Sequence, residues 1–433
     1  MKPRRKKKSK NNNLFREKFA SNTTSIEIIE IQELGVKAEG KAIRSNGDVC
    51  YIPNALPKET VQAQFSSTGA IITKIIKKSH NRVEPFCGHF PRCGGCSAQH
   101  ISKNHYTQWK IGIIEKAMKT RGLKTTLKDL IDAHGAGRRR VTFHGNKNKT
   151  GISAGFMSAK TNDILNIDNC PVLSPDLETA INVARDIIRM MQINHKSLDI
   201  LLTQTATGID CNIDGIQNSG QQFFSEISEI TYKYDLARVT VERETVIETR
   251  SPIIFAGDSK IVLPPKSFLQ PTKYGEEILV DLVLKNTQEA SHVLDLYCGI
   301  GPFTLAIAQK TPVYSFDNDA MAINALTKAA NNTSGLKPIK AERRNLKANP
   351  LLPYELDMFD IIVLDPPRQG AFEQIKQILL SKVNNIIYVS CNPISFARDA
   401  SILIEGGFNL EPINPIDQFK FTSHVELLAL FKR

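Results

Sequence analysis

Cys391 stands directly after the apolar run NNIIYVS and directly before Asn392-Pro393. A thiol at the end of an expected strand, where the backbone must turn, is better placed to attack than to pack, and the Asn-Pro pair fixes the turn that presents it. A second apolar run, DIIVL, ends on Asp365, and Pro366 and Pro367 stiffen the exit while removing two backbone donors. The C-terminal stretch DQFKFTSHVELLALFKR offers His424 and Glu426, either of which could act as a general base. Such a set suits chemistry at a pyrimidine. C5 is too weak a nucleophile to take a methyl group directly; thiolate addition at C6 gives it enolate character, and a base must then remove the C5 proton so that the sulfur can leave.

The stretch VLDLYCGIGPF places Asp295 at another strand end, followed by Gly299 and Gly301 where the chain turns tightly and the backbone can approach a ligand. It lacks the third glycine of a dinucleotide loop and the lysine of a phosphate loop. Twenty-two residues after Asp295, the run VYSF ends on Asp317, whose carboxylate could accept both hydroxyls of a ribose. This arrangement resembles the class I methyltransferases that bind S-adenosylmethionine.

Three of the eight cysteines fall within ten residues, in CGHFPRCGGCSAQH. Cys87, Cys93 and Cys96 flank Gly94 and Gly95, which would keep the backbone close to a ligated ion or cluster, and Cys170 beside Pro171 is the best fourth thiolate. An iron–sulfur cluster is one reading. Zinc is the other, with His89 or His100 completing a Cys3His tetrahedron.

These residues need elements to hold them. Residues 266–433 alternate apolar runs with helical segments such as DAMAINALTKAANN, the pattern of a doubly wound parallel sheet in which ligands bind beyond the carboxyl ends of the strands. Residues 21–80 alternate apolar and polar positions with turn residues at short intervals, predicting a small β-barrel whose Lys-rich last strand suits RNA. Between them, residues 81–265 are mixed α+β and carry the basic stretch RRRVTFHGNKNK. The net charge is +12, but residues 1–20 hold nine Lys and Arg against Glu17, so the rest of the chain carries only +4. That tail reads as disordered and attracted to polyanions without reading sequence. No apolar run approaches the roughly 20 residues of a membrane span, and no hydrophobic signal core follows the basic start, so the expectation is a cytoplasmic protein with no membrane partner.

Taken together, SFLQ, DLYCGIGPF, DPPRQG, SCNPISFARD and HVE, in that order and after the cysteine cluster, resemble the bacterial RNA uracil-C5 methyltransferase family, and within it the iron–sulfur branch acting on 23S ribosomal RNA. The resemblance covers nearly the whole chain after the tail. It implies a Rossmann-like methyltransferase domain at 266–433, a TRAM-type OB-like barrel at 21–80, and a central domain holding a 4Fe-4S cluster on Cys87, Cys93, Cys96 and Cys170. It implies Cys391 as nucleophile and Glu426 as base, with Gln270, Tyr297, Gly299, Asp317, Asn345 and Asp365 lining the S-adenosylmethionine and uracil pocket, and a uridine flipped from folded RNA. Pro302 replaces a frequent Asn, Asp317 a usual Glu, SFLQPT lacks the aromatic pair more usual before Gln, and Lys420 stands where Pro is common. None of these removes a catalytic group. A tRNA substrate, or a silent metal-stabilised RNA-binding protein, are the alternatives; with no dimerisation signal, a monomer is the default.

Overall fold

The computed structural model describes residues 25–67, 69–191, 197–216 and 221–433. The basic tail at 1–20 and the first four residues of the expected barrel lie outside the described residues. The chain divides into two compact units, one holding residues up to 86 together with 97–109, the other 87–96 together with 110–433.

In the smaller unit, Ser25–Glu30, Thr60–Ser66 and Gly69–Lys77 form an antiparallel sheet, and Glu33–Leu34, Glu39–Ile43 and Val49–Pro53 form another. Alternation in TVQAQFS sends Val61, Ala63 and Phe65 inward to meet Ile29, Ile31 and Ile52. The pairing runs in two separate three-stranded sheets, and among the described residues no ladder closes them into one barrel. Alternation predicts which faces are buried; closure depends on edge pairing, which it does not encode.

The larger unit contains two large sheets and the antiparallel pair Ile253–Ala256 with Ser259–Val262. The first has seven strands, in the order Ile164–Asn166, Gly151–Met157, Arg140–Asn148, Leu198–Thr205, Gly208–Asp214, Leu236–Val241 and Glu244–Glu248. Helices Ala180–Met190 and Gln221–Lys233 cover it over a core that includes Phe143, Ile187, Leu202, Cys211, Ile227 and Val239.

The second sheet positions the site. Its strands are β1 (Val293–Leu296), β2 (Val313–Asp317), β3 (Ile339–Arg343), β4 (Ile361–Leu364), β5 (Asn385–Ser390), β6 (Asn414–Asp417) and β7 (Glu426–Lys432). Their spatial order is β3-β2-β1-β4-β5-β7-β6, and Ile131–Asp132 pairs alongside β6. The first five are parallel, while β7 runs antiparallel to both β5 and β6. β1 and β4 are buried along their whole length, as expected for strands covered on both faces, which is why VLDL and IIVL read as apolar runs with no alternation. Helices α1 (Lys273–Thr287), α2 (Pro302–Ile307), α3 (Ala320–Asn331) and α4 (Pro393–Glu405) accompany the strands. Strand order reverses between β1 and β4, so the turns after β1, β2, β4 and β5 open onto one edge where the neighbouring connections diverge. Among the described residues no helix is long and apolar enough to cross a membrane.

Candidate active site

Cys391 follows the last residue of β5, and Asn392 stands between it and the start of α4. Asn392 caps that helix by accepting the Ile394 N–H at 3.1 Å, with Pro393 in the first turn, so Asn-Pro here is a helix-start device. The same Asn392 donates through Nδ2 to the Arg368 carbonyl at 2.8 Å, which also accepts from Ser395 Oγ at 2.9 Å. Arg398 donates to the Gln369 carbonyl at 2.8 Å, and Asp399 accepts the Ala371 N–H at 2.8 Å and the Tyr388 hydroxyl at 2.6 Å. SCNPISFARD and DPPRQG, separate motifs in the sequence, are therefore one construction. Cys391 is half-buried, and its thiol is pushed up to about 11, first by burial and then by the charges of Glu426 and Asp365, against the pull of Arg368.

The β5–β7 ladder pairs Ser390 with Leu427, which brings Cys391 and Glu426 to the same end of neighbouring strands. Glu426 is 2% exposed. Its Oε2 accepts from Gln418 Nε2 at 2.8 Å, the same Nε2 donates to Gln270 Oε1 at 2.8 Å, and Gln270 Nε2 donates to Asp365 Oδ2 at 3.3 Å. Two carboxamides thus join two buried carboxyls. Burial, then the Asp365 charge, holds Glu426 above the usual carboxylate range, and burial, then Asp295 and Asp317, does the same to Asp365. A carboxylate whose proton affinity is raised in this way is a stronger base near neutral pH than a solvated one. His424, the other candidate, is pushed down to about 4 by burial and by Arg368, Lys110 and Arg138, and its Nε2 lies 3.4 Å from Arg368 Nη2. It is a neutral imidazole and a weaker base.

Around the turn after β1, Asp295 is fully buried; Oδ2 accepts from Thr304 Oγ1 at 2.6 Å, while Oδ1 is buried without a partner. Burial pushes its carboxyl up to about 7. Asp317 accepts the Gly299 N–H at 2.9 Å on Oδ2 and the Asp319 N–H at 2.8 Å on Oδ1, which leaves each oxygen a further lone pair. The two glycines of the loop differ. A Cβ on Gly299 (φ +55°) would meet open space, whereas one on Gly301 (φ +83°) would stand 2.3 Å from Leu326 Cδ1. Gly299 therefore leaves room for a ligand and Gly301 admits a packing neighbour. Tyr297 adopts φ 65° between them and β1, and its phenol is pushed up to about 12 by burial and by Asp399 and Asp317. A cleft of about 360 Å³ opens beside Asp317, lined also by Arg243, Pro265, Lys266 and Met321. The orphaned Asp295 oxygen, the spare lone pairs of Asp317 and the space over Gly299 fit a ligand that carries a cation and hydroxyl donors. Asn345 is not drawn into this network: it is exposed, and its Oδ1 accepts the Lys347 and Ala348 N–H groups at 3.2 Å within its own loop.

Cys87, Cys93, Cys96 and Cys170 are half-buried and share a neighbourhood. Burial and the Cys87 charge raise Cys93, and Cys170 is pushed up to about 12 by burial with Cys96 and Cys93 adding. The Gly94 N–H donates to the Met157 carbonyl at 3.0 Å, and the Gly95 N–H donates to Cys93 Sγ at 3.4 Å. Even so, among the described residues no group of three or more His, Cys, Asp or Glu side chains is gathered as a metal ion requires. The zinc alternative gains no support either. His89 Nε2 accepts the Asp168 N–H at 3.2 Å.

The model of the tRNA (uracil-5-)-methyltransferase family matches residues 229–433. An uncharacterized RNA methyltransferase of Caulobacter vibrioides is 36% identical over 412 residues, covering 94% of this chain and 99% of its own. The chain belongs to the same family of RNA methyltransferases as this relative. Another relative of this methyltransferase, the 23S rRNA (uracil(1939)-C(5))-methyltransferase RlmD of Aeromonas hydrophila, is 26% identical, covering 90% of this chain and 92% of its own. The fold is similar to that of the Pyrococcus abyssi tRNA (uracil-54, C5)-methyltransferase in complex with S-adenosyl-L-homocysteine, with a TM-score of 0.72 at 22% identity over 93% of this chain and 99% of that one.

Sequence reasoning missed several groups that this RNA methyltransferase places at the site. Gln418 lies in the quoted DQFKF stretch, but nothing local marks it as the bridge between Gln270 and Glu426. Arg139, in the middle of the basic RRR run, is 6% exposed rather than on the surface. It donates to the Gln270 carbonyl at 2.9 Å and pairs with Glu276 of α1 at 2.5 Å, so it fixes the backbone that carries Gln270.

Proposed function

We propose that the chain methylates C5 of a uridine in 23S ribosomal RNA through a covalent adduct between Cys391 and C6 of the base. The observation that carries this reading is the convergence, at one edge of the sheet, of a half-buried thiol with a buried carboxylate held above its usual range. S-adenosylmethionine, when bound, supplies an electrophilic methyl group, and Asp295, Gly299 and Asp317 are the residues whose unused capacity would hold it, with Tyr297 beside them. Cys391, as thiolate, forms the S–C6 bond, and the electron pair of the C5–C6 double bond moves to make C5 nucleophilic. C5 then takes the methyl group. Glu426 removes the C5 proton, the C5–C6 double bond re-forms, and Cys391 leaves as thiolate. Arg368 is the cation that favours the ionised sulfur, and Gln270, between Asp365 and Gln418, has the polar edge needed beside a uracil ring.

The choice of 23S rRNA over tRNA rests on the cysteine quartet and on the 26% identity to RlmD. A 4Fe-4S cluster on Cys87, Cys93, Cys96 and Cys170 belongs to this reading, supported by the common neighbourhood of the four thiols and the Gly95 N–H directed at Cys93. Uracil methylation needs no electron transfer, so the cluster's role would be to hold the loops that carry its ligands. Tritium release from 23S rRNA transcribed with 5-tritiated uridine, with tRNA as a parallel substrate and anaerobically purified protein, tests the whole. Cofactor-dependent release from rRNA is expected. Release from tRNA alone would reassign the substrate, and no release from either would leave a binding protein. Iron and acid-labile sulfide in the same preparation check the cluster separately.

A further inference from the structure

Lys110 lies in the helix Lys103–Lys119, in the stretch QWKIGII, and its side chain is 0% exposed. Lysine is almost never fully buried unless it is paired. Here Nζ donates to Asp417 Oδ1 at 2.8 Å, to the Phe419 carbonyl at 3.3 Å and to the His424 carbonyl. Those three acceptors bracket the connection from β6 to β7. That connection contains Gln418 and delivers Glu426.

A buried ion pair is weak evidence for stability, since well-packed apolar residues often do as well. Its use must lie in what it holds. By drawing Asp417, Phe419 and His424 to a single ammonium group, Lys110 fixes both ends of the turn. Gln418 sits between two of the anchors, and its amide is committed to Gln270 on one side and Glu426 on the other, at 2.8 Å each. We infer that Lys110 is a positioning residue for the proposed base: by pinning residues 417–424 it sets the Gln418 carboxamide that orients the Glu426 carboxylate toward the C5 proton. This rests on the assignment of Glu426 made above. Lys110 reaches no reacting atom, so its loss should slow the step that needs Glu426 and spare the steps that precede it.

The experiment follows the covalent RNA adduct on denaturing gels, together with tritium release and S-adenosylmethionine binding, using the full chain and transcribed 23S rRNA. Glu426→Gln is the reference. Lys110→Met leaves Asp417 buried without its cation, so the double variant Lys110→Met/Asp417→Asn is made beside it to remove that burden. The expected result is adduct formation at the wild-type rate, tritium release slowed about tenfold or more, and accumulated adduct in both Lys110 variants. If Glu426→Gln itself accumulates no adduct, the assignment of the base fails and the inference with it. If Glu426→Gln accumulates adduct while both Lys110 variants clear it at the wild-type rate, only the inference fails. Loss of folding in both variants, or equal slowing of adduct formation and release, would show that Lys110 serves the fold in general and would also overturn it.

Discussion

At the strand ends, Glu426, Gln418, Gln270 and Asp365 are joined by hydrogen bonds of 2.8 to 3.3 Å, whereas Cys87, Cys93, Cys96 and Cys170 share a neighbourhood in which Cys93 feels the charge of Cys87, and Cys170 that of Cys96 and Cys93. The first set is carried by strand ends and by turns braced with buried cations. The second is carried by turns: residues 87–96 contain no strand or helix of their own, and Cys170 lies in the connection after Ile164–Asn166. Ladder hydrogen bonds fix the position of a side chain to within a register step, and a turn does not. The groups proposed for catalysis are therefore arranged by the polypeptide itself, while the proposed cluster would have to complete the arrangement of the thiols.

Replacing Cys391 with Ala should have the largest effect on that arrangement, lowering methyl incorporation by about 10⁴-fold or more while calorimetry shows S-adenosylmethionine binding unchanged. Loss of cofactor binding would mean that the thiol also shapes the pocket. Next comes Glu426→Gln, for which we expect turnover lower by about 10²- to 10⁴-fold and a slow-migrating covalent RNA species. Absence of that species at saturating cofactor would point to another base. The pH profile is the third test. Cys391, pushed up to about 11, and Glu426, to about 8, both act deprotonated, so the rate should climb with pH, by up to about a hundredfold per unit below pH 8 and up to about tenfold per unit from there towards 11. A flat profile would mean that bound RNA resets both groups. Smallest on turnover should be Cys170→Ser: lost iron and a melting temperature lower by several degrees, but a methylation rate within about tenfold of wild type. If that variant stayed folded and lost as much activity as Cys391→Ala, the contrast between the two regions would not hold.

The legible parts of the site were those at the end of an apolar run. DLYCGIG, DPPRQG and SCNP each follow a strand buried on both faces, so the polar residue that ends the run marks the sheet edge. Gln418, Arg139 and Lys110 were not legible as site residues, because what they contact is chosen by tertiary placement. Arg139 meets a carbonyl 131 positions away and Lys110 a carboxylate 307 positions away. The basic run around Arg139 even pointed the wrong way, since clustered arginines ordinarily lie on a surface. In the smaller unit, alternation gave the strands and their inner faces but not whether the two sheets close. The Asn345 side chain, placed in the pocket by resemblance, is engaged by its own loop.

Because β7 runs against β5, the last residue of one and the first of the other are neighbours, although about 35 positions of sequence lie between Cys391 and Glu426. Their separation is measured in rungs rather than in chain length. Residues added at the exposed Gly406–Gly407 turn would lengthen a surface and leave the reacting pair where it is, but one residue added within β5 or β7 would shift the register that pairs Cys391 with Glu426. A methyltransferase built this way can remodel the outer connections that meet a particular RNA while its reaction centre stays in frame.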